Sequence, residues 1–234
     1  MRRFRGYTLV ELMISIAVGM VVILVIYAAV NMGQRSTVNV ERKVASHQDA
    51  RAALELMSLE IQMATYNPQD TPNIWRDPAV CNAPSGNQNY RGIQAATPSA
   101  MTVEMDANGN GEIGSGAPNP NEIIKYIYDS ANQYITRETG CGGGAQSLLG
   151  DLPSGGNPRS VRVINTAAVP VFRYYDAQGN EITAAGLPAG IRNIARVDIT
   201  LWVETEEVDP NSGQRRRTVY STSVIPRNHV IAGN

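Results

Sequence analysis

From Leu12 to Val30 the chain carries no charged residue, and its only polar side chains there are Ser15 and Tyr27. This 19-residue run, with Tyr7 to Val10 ahead of it, matches the ~20 residues a helix needs to span a bilayer. Arg2, Arg3 and Arg5 precede the run and no arginine falls inside it, which puts the N-terminus in the cytoplasm and the remainder outside. A secretory signal has a core of about 7–15 residues and ends in small residues of the Ala-x-Ala kind. Here the core is longer and continues into more helix-like sequence, so it reads as a retained anchor. Glu11 stands out at its start, because a charge at mid-membrane costs roughly 2.5–3.5 kcal/mol, less toward an end.

The 234 residues suffice for one sizeable globular domain plus the anchor, or for two small ones. A net charge of −1 implies no strong pull toward nucleic acid or anionic lipid. The three leading arginines belong to targeting; without them the remainder would carry about −4. Two cysteines, Cys81 and Cys141, lie well beyond the anchor. In an oxidising compartment a disulfide closing this long loop is one reading, worth about 3–4 kcal/mol by loop entropy. Two separate thiols are the other.

Asn31 to Tyr66 contains no proline and a single glycine, Gly33. Val40, Val44, His47, Ala50, Leu54, Met57, Ile61 and Ala64 recur at spacings of four and three, the stripe of an amphipathic helix. Anchor and stripe together predict one helix of about 55–60 residues, on the order of 85 Å long, ended by "NPQDTP" at 67–72. Turn chemistry fills Asn67 to Ala100, where loops are expected. Short β-like runs follow at Met101–Met105, Glu122–Tyr128, Tyr134–Thr136 and Val169–Tyr175. "IARVDITLWVET" and "RRTVYSTSVI" form a hairpin about Asp209–Gly213, with Glu204, Glu206 and Glu207 approaching Arg215, Arg216 and Arg217 as cross-strand charge pairs. "TGCGGGAQ" lacks the strand-before and helix-after context of a phosphate loop and reads as a plain loop. The fold class is α+β: a long N-terminal helix, half membrane-spanning and half amphipathic, packed on an antiparallel sheet.

Arg5 to Val30, with Gly6, Tyr7 and then "TLVEL" before an unbroken apolar helix, resembles the processing site and N-terminal helix of type IV pilins and type II secretion pseudopilins. The resemblance implies a leader at 1–6, a transmembrane and assembly helix at 7–30, an amphipathic continuation at 31–66 and a β-rich periplasmic or extracellular domain at 67–234. It also implies cleavage by a prepilin peptidase between Gly6 and Tyr7, followed by methylation of the new Tyr7 amine. Tyr7 departs from the usual phenylalanine. "RAALELMSLEIQMATY", "DANGNG" followed by "NEIIKYIYD", "IRNIARVDITLWV" and the closing "VIPRN" look like PilW-type minor pilins. Such proteins sit with other minor pilins in a complex that primes fibre assembly and lies at the tip. The implied partners are those subunits, the major pilin, the peptidase, the inner-membrane assembly platform and membrane lipid before assembly. Major pilins usually carry a helix-kinking proline late in the apolar segment; here Ala28 stands in "VIYAAV". That and the chain's length argue for a minor component.

Under that resemblance Glu11 has a physical use. Cleavage after Gly6 creates an ammonium on Tyr7, and in a staggered array one subunit's Glu11 meets its neighbour's amine, each offsetting the other's desolvation. Snorkelling to the headgroups is the bland alternative. A second site is "DANGNGEI": Asp106, Asn108 and Asn110 at alternate positions, then Gly111, reproduce the first half of an EF-hand-like calcium loop. Glu112 would offer its carbonyl. The twelfth position is Ala117, so Glu122 is the substitute for the bidentate glutamate. A metal-free turn is the other reading. Catalysis has little support: His47 lies on the helix stripe, His229 in a C-terminal tail, and no H-E-x-x-H, G-x-S-x-G or Cys–His constellation occurs. The expectation is a non-enzymatic minor pilin. A J-type pseudopilin and a membrane-anchored, calcium-dependent adhesin or binding domain stand as alternatives.

Overall fold

The computed structural model describes residues 8–81, 83–114, 119, 121–140, 144–150, 161–209 and 213–230; the side chains of 35–43, 45, 188 and 230 lie outside that description. Two compact units divide between Val44 and Ala45. Helix α1, Leu9–Met63, crosses the division.

In the first unit, the 26 residues Leu9–Gln34 are long and apolar enough to cross a membrane. Large side chains are exposed on every face of this stretch, among them Leu12, Ile16, Val22 and Ile26. Ser15 Oγ donates to the Glu11 carbonyl at 2.8 Å and Asn31 Nδ2 to the Tyr27 carbonyl at 3.1 Å. Each polar side chain is thus returned to the helix's own backbone, which lowers its cost in an apolar surrounding.

In the second unit α1 becomes one-sided. Ala50, Ala53, Met57 and Ile61 are buried, and Ala64 just past the helix joins them. The expected stripe holds from Ala50 onward. Before it, Val44 is exposed and His47 only half-buried, and Leu54 yields its core place to Ala53, whose small side chain lets the helix sit close. The helix ends at Met63, short of Tyr66, because Thr65 turns into the left-handed region (φ 69°).

Among the described residues, ten strands form two five-stranded sheets. The first is a meander of β1 (Ile93–Ala96), β2 (Ala100–Glu104), β3 (Ile123–Asp129), β4 (Tyr134–Thr139) and β5 (Gln146–Leu149), antiparallel and in chain order. The second holds β6 (Val161–Val163), β7 (Phe172–Tyr175), β8 (Glu181–Ile182), β9 (Arg196–Thr205) and β10 (Arg217–Val224) in the order β10-β9-β7-β8, with β6 also on β9. Two short helices follow β8 and β10: α2 (Leu187–Gly190) and α3 (Arg227–Val230).

The expected hairpin is β9–β10, paired without a register shift from Arg217↔Glu204 to Val224↔Val197. Val197, Ile199, Leu201 and Val203 alternate into the core as their period of two requires. Glu204 bridges Arg217 and Arg215, and Asp209 bridges Arg216, but Glu206 turns away to pair with Arg162 on β6. The loops expected between Asn67 and Ala100 contain strand β1, and β5, β6 and β8 are also additions. These strands run to four residues or fewer, so pairing with a longer neighbour, and not a local pattern, selects them.

One core unites the helix and both sheets: Ala50, Met57 and Ile61 meet Ile93, Met101 and Tyr126 of the first sheet and Phe172, Ile199 and Leu201 of the second. Arg137 clamps the Glu60 carboxylate through Nε and Nη2 at 2.6–3.1 Å, and the Tyr126 hydroxyl donates to the same group. The Tyr220 ring stands edge-on to His47 and its hydroxyl meets Nδ1. A satellite core of Ile74, Trp75, Cys81, Ile113 and Ile123 lies beneath the loops. Cys81 is buried and disulfide-bonded; Cys141 lies outside the described residues.

Candidate functional site

The first candidate lies at the first turn of α1. Gly6 and Tyr7 lie outside the described residues. Thr8 Oγ1 accepts the Glu11 N–H at 3.3 Å, while Glu11 Oε2 accepts the Thr8 N–H at 2.9 Å and the Thr8 hydroxyl at 3.0 Å. Thr-x-x-Glu is a capping box: each residue satisfies a donor that the helix start would leave unpaired. The positive end of the helix dipole favours the same carboxylate. Glu11 therefore has a use within its own chain that the spacing signalled and the opening reading missed. Glu11 is exposed, and among the described residues its Oε1 makes no hydrogen bond.

The second candidate is the loop after β2. Asp106 is fully buried, its Oδ1 accepting the N–H groups of Gly109 (2.8 Å) and Asn110 (3.1 Å) and its Oδ2 that of Gly111 (2.9 Å). Asn108 Oδ1 accepts the Asn110 N–H and Asn110 Oδ1 the Glu112 N–H, both at 2.9 Å. Gly109 and Gly111 take left-handed φ of 73° and 79°, which lets the chain curl around these oxygens. Glu122 enters the curl from the start of β3, its Oε1 3.4 Å from the Asn108 N–H and its Oε2 3.2 Å from the Gly114 N–H. Asp106, Asn108, Asn110 and Glu122 are thus brought together, whereas the Glu112 side chain is exposed. Asn119, which sequence reasoning did not single out, is buried among them and accepts from both Asn108 Nδ2 (2.8 Å) and Asn110 Nδ2 (2.6 Å). Burial raises the Glu122 carboxyl above its usual range, and the neighbouring Asp106 charge adds to that. Among the described residues no cluster of three or more His, Cys, Asp or Glu side chains forms a metal site; the oxygens here come half from asparagines.

Two further buried groups tie the loops to the core. His229 is not a loose tail residue: it is buried, its Nε2 donates to the Ile191 carbonyl at 2.9 Å, and its Nδ1 takes the Thr65 hydroxyl at 3.0 Å. Thr65 Oγ1 in turn accepts the Gly92 N–H at 3.1 Å. Burial pushes the imidazole down to about 4, so it is neutral and the described tautomer follows from its two bonds. Glu104 is fully buried; its Oε2 accepts the Arg76 N–H at 2.8 Å and its Oε1 has no partner. Burial pushes this carboxyl up to about 8, against the pull of the Arg76 N–H.

The comparisons with known proteins meet the first of these sites. The prokaryotic N-terminal methylation motif matches residues 1–27, the stretch that holds Gly6, Tyr7, the capping box and most of the apolar helix. The chain thus carries the N-terminal signal of type IV pilin-like prepilins, a pilin or pseudopilin class processed by a prepilin peptidase. No curated protein and no solved structure matches the chain.

Proposed function

We propose that the protein is a minor type IV pilin that primes assembly of a pilus fibre or caps it, most like the PilW type. The observation that carries this reading is the coincidence of the methylation motif with a helix start whose following 26 residues are apolar and exposed all round. Such a surface needs lipid before assembly and other apolar helices after it. The absence of a proline from Leu9 to Met63 and the size of the domain beyond support a minor subunit. Cleavage after Gly6 would leave the Tyr7 ammonium one residue ahead of the capping box, where the free oxygen of a neighbour's Glu11 can meet it. The test is Glu11→Ala in the producing cell. Leader cleavage is expected to proceed while fibre number and co-purification with partner subunits fall; normal fibres and normal co-purification overturn the reading. Immunogold label at fibres or tips, as against uniform surface label, separates it from an anchored adhesin, and the neighbouring genes separate a pilus from a type II secretion role.

The loop after β2 supports calcium as a ligand of the same protein. Asp106 and Glu122 are both buried, and burial together with the Asp106 charge opposes ionisation of Glu122, a cost that one hard cation offsets. Asp106, Asn108, Asn110 and Glu122 supply oxygens, the type of donor such an ion takes. Calorimetry with calcium on the full chain in detergent is expected to show heat and a raised melting temperature, both lost in Asp106→Asn. Neither heat nor shift in the wild type rejects the ligand.

A further inference from the structure

We propose that the outer edge of β10 is a docking site for an extended segment of a different polypeptide, which adds a strand to the second sheet. The ladder geometry decides which groups are open. On β9, Thr200 N–H donates to the Val171 carbonyl and the Trp202 carbonyl accepts from Ile164, so the main chain of these residues faces β6 and β7. Their neighbours Val197, Ile199, Leu201 and Val203 must therefore bond across to Val224, Thr222, Tyr220 and Thr218. That leaves the N–H and C=O groups of Val219, Ser221 and Ser223 directed away from the sheet, and among the described residues they have no partner.

Among the described residues the other sheet edges are blunted, and β6, paired only to β9, has three residues. β8 has two residues, and β1 and β5 have four each with a register shift. β10 has eight residues, no shift, and from Thr218 to Val224 no proline, lysine or other charge. Short strands, register shifts, prolines and charges are the devices by which soluble proteins guard an edge against strand addition, and β10 lacks them from Thr218 to Val224. Its outward side chains, Val219, Ser221 and Ser223, are exposed and small enough to accept a neighbouring backbone.

Charge selects the occupant. Arg217, bridged to Glu204, begins the strand, Arg227 follows its end, and Arg51 lies one turn along α1 from His47, which meets Tyr220 of β10. Arg51 and Arg227 are exposed and form no ion pair among the described residues. A second copy paired antiparallel about Ser221 would bring the Arg217 end of one strand toward the Arg227 end of the other, like charges that oppose pairing. A segment uncharged in its middle and acidic at its ends meets the edge and its cations together. This inference stands apart from the prepilin reading, which concerns the opposite terminus.

The test uses the full chain in detergent micelles and the capped peptide DTVTVTD as probe, read by amide hydrogen exchange at Val219, Ser221 and Ser223. The peptide is expected to slow exchange at all three by about tenfold or more, and KTVTVTK by much less. Ser221→Pro is expected to abolish the effect with the β9 ladder intact, because its N–H faces away from β9. Should that variant fail to fold, Val219→Lys must weaken the protection about tenfold. Unchanged exchange at millimolar DTVTVTD, or equal protection by KTVTVTK, overturns the proposal. So does protection of the chain alone that grows with its own concentration, which would assign the edge to a second copy.

Discussion

The two stretches of α1 contrast more sharply than any other pair of regions. Leu9–Gln34 shows large apolar side chains on all faces; from Ala50 to Ala64 the buried positions follow one line and carry mostly small residues. A helix apolar all round has no preferred inward face, so its partner is its surroundings, lipid or other helices. A helix with one apolar line is fixed by what lies beneath that line, here both sheets at once. Substitutions in the first stretch should therefore register in insertion and assembly, and substitutions in the second in folding.

Glycine gives the largest expected difference. A Cβ on Gly92 would lie 2.1 Å from the Thr65 nitrogen and 2.4 Å from the Glu104 carbonyl, whereas one on Gly19 meets nothing within 4 Å. Gly92→Ala should cost more than about 4 kcal/mol and leave the domain largely unfolded by circular dichroism, while Gly19→Ala leaves the domain's melting unchanged.

Titration should also act on the second unit alone. Glu104 is pushed up to about 8 from 4.5, so the folded state holds its proton through a range in which the unfolded chain has lost it. Its stability contribution is full below pH 4.5 and is lost as pH rises through 8, by roughly 5 kcal/mol. Urea melts across that window should show the slope, and Glu104→Gln should remove it.

Core deletion comes next. Met57→Ala should destabilise the domain by about 2–5 kcal/mol in denaturant melts, whereas Ile23→Ala in the first stretch should leave them unmoved. An equal loss from Ile23→Ala would break the comparison, because it would mean that the apolar stretch packs on its own domain.

His229 acts with the opposite sign to Glu104. Its value falls from 6.5 to about 4, so the unfolded chain takes up the proton first as pH drops. Stability is full above pH 6.5 and is lost toward pH 4, by about 3 kcal/mol. His229→Gln should flatten this acid limb.

The smallest effect belongs to the helix start. Thr8→Ala removes one half of the capping box and should cost the helix about 1 kcal/mol, visible as fraying of the first turn in amide exchange with no change in domain melting.

Legibility follows range along the chain. The anchor, the long helix, the β9–β10 hairpin and the alternation within β9 were readable because period and spacing repeat over many residues. β1, with only "IQAA" to mark it, was not, since two alanines carry no strand pattern and its pairing with β2 creates it. At the loop site, the spacing of Asp106, Asn108 and Asn110 pointed to one another and to Glu122, but Asn119 became visible only once the chain had curled around them.

By itself the sequence determined what depends on neighbours a few residues apart: an apolar span behind arginines, a Thr8–Glu11 cap, a prepilin motif and a hairpin. Only the tertiary structure decided what depends on which surfaces meet. It buried Glu104 with one oxygen unpartnered, locked His229 between Thr65 and Ile191, and left β10 without a strand on its outer side among the described residues. Burial and edge position are properties of the assembled sheets, to which residues distant in the chain contribute, so no local pattern can carry them.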